Sequence, residues 1–245
     1  MSLMVSISGI RGVVGESLTP EIIVKYAAAY AEYCERGIIV VGRDGRITGK
    51  SVADIVTSTL LQAGSNVVDI GVCPTPTVQL AVEQRHAAGG ISITASHNPM
   101  QWNGMKFMAP TGMFLNAGEN KKFWEIADRG NFHFSSWERQ GKLENDASWI
   151  DRHIQNVMRL PYIALESVRS KKFKVAVDCV NAAGCVIVPK LLRQFECSIV
   201  PLNCEMTGIF SHTPEPVPEN LTQLASKVIE EKADLGIAVD PDVDR

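Results

Sequence analysis

Apolar and polar positions along this chain follow two alternating periods. The run 37–42 (GIIVVG) is continuous and apolar, as expected of a short buried strand, and it leaves into the loop Arg43-Asp44-Gly45-Arg46. Residues 49–64 carry apolar positions at helical spacing and stop at Gly64. A second strand is predicted at 66–71. A helix opened by Pro76 and stopped by Gly89 follows, and then a strand at 90–95. The scheme returns further on, with strands at 173–180, 197–203 and 233–240 and helices near 182–195 and 220–232. Strands alternating with helices of this length predict an α/β class with mainly parallel sheets.

Between the two series lies 130–172, which is polar and bears Trp137 and Trp149. Within it, 147–160 has the spacing of an amphipathic helix bridging two domains. The division is placed at 155/156, giving domains 1–155 and 156–245. Each series runs strand, helix, strand, helix, strand, so two similarly built α/β domains with mixed, mainly parallel sheets are expected. Met1-Ser2-Leu3 precede a strand starting near Met4 and read as an expression remnant.

Composition narrows the function classes. The hydrophobic fraction of 45% and charged fraction of 21% are those of a globular protein. A net charge of −3 argues against a nucleic-acid partner, which selects for a basic excess. No apolar run approaches the ~20 residues that span a bilayer, and the first residues lack a secretory pattern. A cytoplasmic location without membrane contact is the expectation. Six cysteines contain no CxxC pair, so reduced thiols are expected rather than a disulfide framework or zinc site.

Two stretches carry candidate chemistry. The strand at 90–95 ends in Thr94-Ala95-Ser96-His97-Asn98-Pro99, and a further strand resumes around Met105-Lys106-Phe107. A serine oxygen needs activation to act as a nucleophile, and no G-x-S-x-G elbow surrounds Ser96. A capping or turn serine is the competing reading. Lys106 places a cation beside the loop. The second stretch holds Asp240, Asp242 and Asp244 within its last six residues. Such carboxylates repel one another unless a cation lies between them, and oxygen-only ligands favour Mg²⁺ or Ca²⁺. A solvated acidic turn is the alternative. Ligands of open α/β sheets gather where both stretches emerge, at the carboxyl ends of strands.

Two motif matches fail. Only three residues separate Gly45 from Gly49, where a P-loop needs four, although Arg43, Arg46 and the following helix N-terminus could still take a phosphate. The aspartate run opens like an EF-hand, but Arg245 stands where glycine is required and a strand precedes it.

With "NGMKF" (103–107), "TASHNP" resembles the phosphoserine loop of the α-D-phosphohexomutases, and "DPDVDR" resembles their metal loop. "SISGIRG" (6–12), "VGRDGR" (41–46) and "TPEPVPENL" (213–221) are similar to further family segments in the same order. The resemblance spans essentially the whole chain. It implies that Ser96 carries a phosphoryl group, gives it to a hexose phosphate, and regains the other phosphate from the reoriented bisphosphate. It implies Mg²⁺ held by Ser96, Asp240, Asp242 and Asp244, with a hexose 1,6-bisphosphate as activator. Lys106 and His97 would lie beside the transferring group, and Arg11 and Arg245 would add positive charge. Arg43, Arg46 and Asn98 would contribute to phosphate binding. The metal loop more often has glycine where this chain has Pro241, which would distort it if positive φ were needed there. Family members have four domains, so the resemblance implies an N-terminal fragment with little mutase activity of its own. Gln101-Trp102-Asn103 is similar to some phosphoglucosamine mutase-like members, but glucose, mannose and glucosamine phosphates stay open. A metal-dependent phosphatase using the same serine, or a non-catalytic phosphosugar-binding module, are the alternative readings. Oligomeric state is not predicted.

Overall fold

The computed structural model describes residues 2–245; Met1, part of the remnant reading, lies outside the described residues. The first sheet is built from β1 (Met4–Ser6), β2 (Gly9–Val13), β3 (Ile39–Arg43), β4 (Val67–Val72), β5 (Gly89–Ile93), β6 (Trp102–Met108) and β7 (Leu143–Asn145). Its order is β1-β2-β6-β5-β3-β4-β7. The pairs β5/β3, β3/β4 and β4/β7 are parallel, while β1/β2, β2/β6 and β6/β5 are antiparallel. The sheet is therefore mixed. Every residue of β5 and all but the last of β3 are buried, because helices cover both faces of these strands.

Helices α1 (Pro20–Tyr33), α2 (Gly49–Gln62), α3 (Thr75–Gln84) and α4 (Ala117–Arg129) flank this sheet. The hydrophobic pattern assigns no element to the stretches forming α1 and α4. In α1 the buried run Tyr26–Ala31 wraps round the helix and blurs the stripe. Its Tyr30 sits in an aromatic cluster with Phe107 and Phe123, at ring centroid distances of 4.9 and 5.5 Å. The α4 helix is polar on average but carries a capping box, Asn116 with Glu119, and stops at Gly130 with φ of 67°.

The second sheet follows α5 (Trp149–Met158) and α6 (Leu165–Lys171). It contains β8 (Lys174–Asp178), β9 (Ser198–Leu202) and β10 (Leu235–Ala238), with α7 (Gly184–Gln194) and α8 (Thr222–Glu230) between them. The order is β10-β8-β9, all parallel. The α5 helix packs against both α3 and α7, and its Trp149, Ile150 and Ile154 share one apolar cluster with Val78 and Ile187. The division proposed at 155/156 falls within this helix. All six cysteines are free; Cys34, Cys73 and Cys179 are buried and the other three partly so. No helix among the described residues is long and apolar enough to cross a membrane.

The parallel strands β3, β5 and β10 all end at the same region. From β3 leaves the Asp44–Arg46 turn, from β5 the serine loop, and from β10 the aspartate loop. This is the crevice at strand carboxyl ends where open sheets bind ligands.

Candidate functional site

The serine loop is held from beneath. Ser96 takes a left-handed backbone, φ 51°, which costs a non-glycine residue about 1 kcal/mol. Thr94 offsets this: its Oγ1 accepts from the Ser96 amide at 2.9 Å and donates to Asp44 Oδ2 at 2.8 Å. The larger contribution is Arg46, which is 2% exposed. Its Nε donates to Asp44 Oδ2 at 3.0 Å. One terminal nitrogen donates to the carbonyls of Pro99 and Trp102 at 2.7 and 3.1 Å. The other donates to those of Ser96 and Asn98 at 2.6 and 2.8 Å. A guanidinium has five N–H donors, and here all five are used. This corrects the expectation that Arg46 binds phosphate. It has no donor left for a ligand and instead fixes the backbone of the loop that presents Ser96.

The aspartate loop reaches the serine from the other sheet. Asp240 and Asp242 are fully buried, and one oxygen from each of Asp240, Asp242 and Asp244 lies within 4.8 Å of the others. The loop closes on itself through Val243 N–H to Asp240 O at 3.1 Å and Asp244 N–H to Asp240 Oδ1 at 3.2 Å. Pro241 brings no distortion. The left-handed residue is Val243, φ 57°, and the Pro241 carbonyl accepts from Ala183 N–H at 3.2 Å. Thr75, at the start of α3, donates through both its amide and its hydroxyl to Asp242, at 2.8 and 2.5 Å.

The two loops meet. Ser96 Oγ donates to Asp240 Oδ2 at 3.1 Å, although the residues are 144 positions apart. His97 Nδ1 lies 3.2 Å from the same serine oxygen, so sequence adjacency does not keep it away. Lys106, on the buried strand β6, donates to Asp242 Oδ2 and Asp244 Oδ2 at 2.7 and 2.6 Å.

Charge state follows from this crowding. Burial pushes the Asp240 carboxyl up to about 7, and Asp242 and Asp244 push the same way. Burial also acts on Asp242, but Lys106 and its hydrogen bonds outweigh it and hold that carboxyl below the usual range. Lys106 is pulled down by burial and raised further by the two aspartates, so it stays protonated. Burial draws His97 down, with Arg245 adding to it. Asp242 Oδ1 is buried and has no hydrogen-bond partner. A buried carboxylate oxygen without a partner, beside two further carboxylates and a hydroxyl, is the donor set of a hard divalent cation.

The remaining predicted residues spread around this centre. Arg11 on β2 donates to Asn98 Oδ1 at 3.3 Å, and burial lowers its guanidinium against the pull of Asp242 and Asp244. Arg245 pairs with Glu215 at 3.6 Å. Arg43 ends β3 and makes no side-chain hydrogen bond or ion pair among the described residues. The sequence pattern does not single out Thr75, Thr94 or Asp44 as site residues. Thr75 reads there only as a helix start before Pro76, and Thr94 as a strand residue. A cavity of about 510 Å³ between α5, α6 and α7 contains none of these residues.

Residues 4–133 match the phosphoglucomutase/phosphomannomutase alpha/beta/alpha domain I, and residues 151–245 match domain II of the same family. A relative named "probable phosphoglucosamine mutase" in Methanopyrus kandleri is 37% identical over 239 residues, covering 97% of this chain and 52% of its own length. A phosphoglucomutase/phosphomannomutase of Thermococcus kodakarensis is 36% identical over 243 residues, covering 97% and 53%. A crystal structure from Thermus thermophilus, provisionally named a phosphomannomutase, superposes with a TM-score of 0.88 at 27% identity, over 100% of this chain and 56% of that one. This chain thus spans about half the length of the relatives it matches. It belongs to the phosphoglucomutase/phosphomannomutase family.

Proposed function

We propose that this chain carries the phosphoserine and metal portions of a Mg²⁺-dependent phosphohexomutase, a protein that moves a phosphoryl group between C1 and C6 of a hexose phosphate. The observation that carries the reading is the approach of Ser96 Oγ to Asp240 Oδ2 at 3.1 Å, beside the unpartnered Asp242 Oδ1. Asp240, Asp242, Asp244 and an oxygen on Ser96 would hold Mg²⁺. When bound, the ion supplies neutralisation of charge on the phosphoryl oxygens.

The chain's own residues do the rest. The Arg46 and Thr94 contacts hold the Ser96 backbone in one conformation, so the oxygen meets its partner without a search. Ser96 gives its phosphoryl group to a sugar hydroxyl and takes back the other phosphate from the bisphosphate. Lys106 is protonated and within reach of the site, and serves as general acid when the serine oxygen leaves. That proton ends on Ser96 Oγ, and the neutral amine left on Lys106 keeps two N–H donors for Asp242 and Asp244. His97 has its ordinary value depressed, so at neutral pH it faces Ser96 Oγ as an uncharged imidazole that can accept a proton. Arg11, poised on Asn98, adds charge at the rim. Positioning and charge complementarity are the main requirements of phosphoryl transfer. The domain division at 155/156 and a cytoplasmic setting belong to the same reading.

The test is transfer of label. Chain treated with Mg²⁺ and ³²P-labelled glucose 1,6-bisphosphate should be labelled on the peptide containing Ser96, and the Ser96→Ala chain should not. Isomerised hexose phosphate as the product supports a mutase. Stoichiometric free phosphate instead points to a phosphatase, and no label on Ser96 defeats both.

A further inference from the structure

The serine loop has a second support, from the other half of the molecule. The turn after β9 runs back across the top of the first sheet. Asn181 fixes it at three points: its carbonyl accepts from Gly208 N–H at 2.9 Å, its Oδ1 accepts from Glu205 N–H at 3.1 Å, and its Nδ2 donates to Ile209 O at 3.1 Å. Gly208 has φ of 72°, and a Cβ there would sit 2.3 Å from the Gly45 carbonyl oxygen. A Cβ on Gly45 would in turn sit 2.7 Å from Ala182 Cα. Backbone meets backbone here, and only glycine permits it. Two residues further along the turn, the Phe210 amide donates to Met100 Sδ at 3.2 Å, on the far side of the serine loop. The Phe210 ring lies over the Arg46 guanidinium at 4.9 Å.

This placement has a specific physical consequence. The five Arg46 donors lie in the guanidinium plane and are all occupied, so the faces of the plane are what remain open to other groups. An aromatic ring on one face attracts the cation and keeps water from the carbonyls that it holds. Excluding water strengthens those hydrogen bonds. The Phe210 ring acts on the serine loop through Arg46, while its amide holds Met100 Sδ; a side-chain substitution removes the first contact and keeps the second donor.

We propose that Phe210 is a positioning residue for Ser96: the 205–210 turn of the second unit straps the Arg46 clamp, and so sets the rigidity of the serine loop. The proposal rests on the reading of Ser96 as the phosphoryl carrier, but its first test does not.

Hydrogen exchange read by mass spectrometry on the full chain is that test. Phe210→Ala should raise amide exchange in the peptide covering 94–102 by about 10-fold, leaving the β8–β9 core at the parental rate. Phe210→Tyr, which keeps the ring, should match the parent. Phe210→Leu keeps apolar cover without the ring and should lie between, raised about 3-fold; it also decides the matter if the alanine variant does not fold. The second readout is the rate of ³²P transfer from glucose 1,6-bisphosphate to Ser96. It should fall at least 5-fold in Phe210→Ala, with the Mg²⁺ concentration for half-maximal rate unchanged. Parental exchange at 94–102 in both the alanine and leucine variants overturns the proposal, as does a rise spread evenly over the chain. Absence of label in the parent counts against the function proposed for Ser96 and leaves the exchange comparison to decide the strap.

Discussion

Lys106 Nζ stands between two carboxylates, 2.7 Å from Asp242 Oδ2 and 2.6 Å from Asp244 Oδ2, and its side chain is 4% exposed. One lysine therefore supplies the nearest positive charge to two of the three candidate cation ligands. Removing one partner of a buried ion pair leaves the other uncompensated, which costs about 3–5 kcal/mol. Lys106→Met should lower the urea-unfolding free energy of the metal-free chain by about that amount. Mg²⁺ should recover more stability in this variant than in the parent, because the freed carboxylates no longer share a counter-ion. Equal Mg²⁺ stabilisation in the two chains would count against the aspartates as its ligands.

Asp240 gives a pH dependence with a definite sign. Its carboxyl is raised from 3.8 to about 7, chiefly by burial. The fold therefore disfavours the ionised form. The penalty is absent below the ordinary carboxylate range and builds as pH rises from 4 to 7. At one pKa unit per 1.36 kcal/mol, it reaches roughly 4 kcal/mol above pH 7. Asp240→Asn should be the more stable chain in EDTA at pH 8, with the difference vanishing near pH 4 in thermal melts. Mg²⁺ should reverse the order at pH 8, since only the aspartate can serve as an anionic ligand.

Arg46 predicts a failed conservative substitution. Lysine keeps the charge but cannot serve five acceptors in one plane. Arg46→Lys should destabilise the chain by about 3 kcal/mol, because buried carbonyls and Asp44 lose partners. Arg46→Met combined with Asp44→Asn should cost less than the two single changes added together. Denaturant unfolding of Arg46→Lys, of the two single changes Arg46→Met and Asp44→Asn, and of their double variant checks both statements.

His153 predicts acid sensitivity away from the site. Its Nδ1 lies 2.8 Å from Thr77 Oγ1, where α5 packs on α3, and burial depresses its protonation. A depressed histidine takes up its proton only at lower pH in the fold than in the unfolded chain. Stability is therefore complete above the ordinary value of 6.5 and is lost as pH falls below it, by at most about 1.4 kcal/mol per pH unit. With Mg²⁺ present, His153→Gln should flatten the melting temperature between pH 6.5 and 5. An unchanged slope would remove His153 as the cause.

The chain by itself determined the α/β class, because buried parallel strands such as 39–43 and 89–93 must be continuously apolar while the covering helices keep their 3.6-residue stripe. It also exposed the two loops, since a serine-histidine-asparagine turn and three alternate aspartates are locally costly arrangements that stand out against their surroundings. It left α1 and α4 unread: in α1 the apolar residues surround the helix, and in α4 the cap rather than the stripe carries the signal. Only the tertiary structure decided what each arginine does. Arg43 and Arg46 are equivalent in a string of letters. Yet among the described residues Arg43 makes no side-chain hydrogen bond or ion pair, while Arg46 commits all five donors to Asp44 and to carbonyls contributed by residues 96–102. The same holds for Thr75 and Phe210, whose partners lie far along the chain. A hydrogen bond or a stacked ring depends on distance and angle, and these are fixed only by folding: within the first sheet's unit for Arg46, and between the two sheets for Thr75 and Phe210.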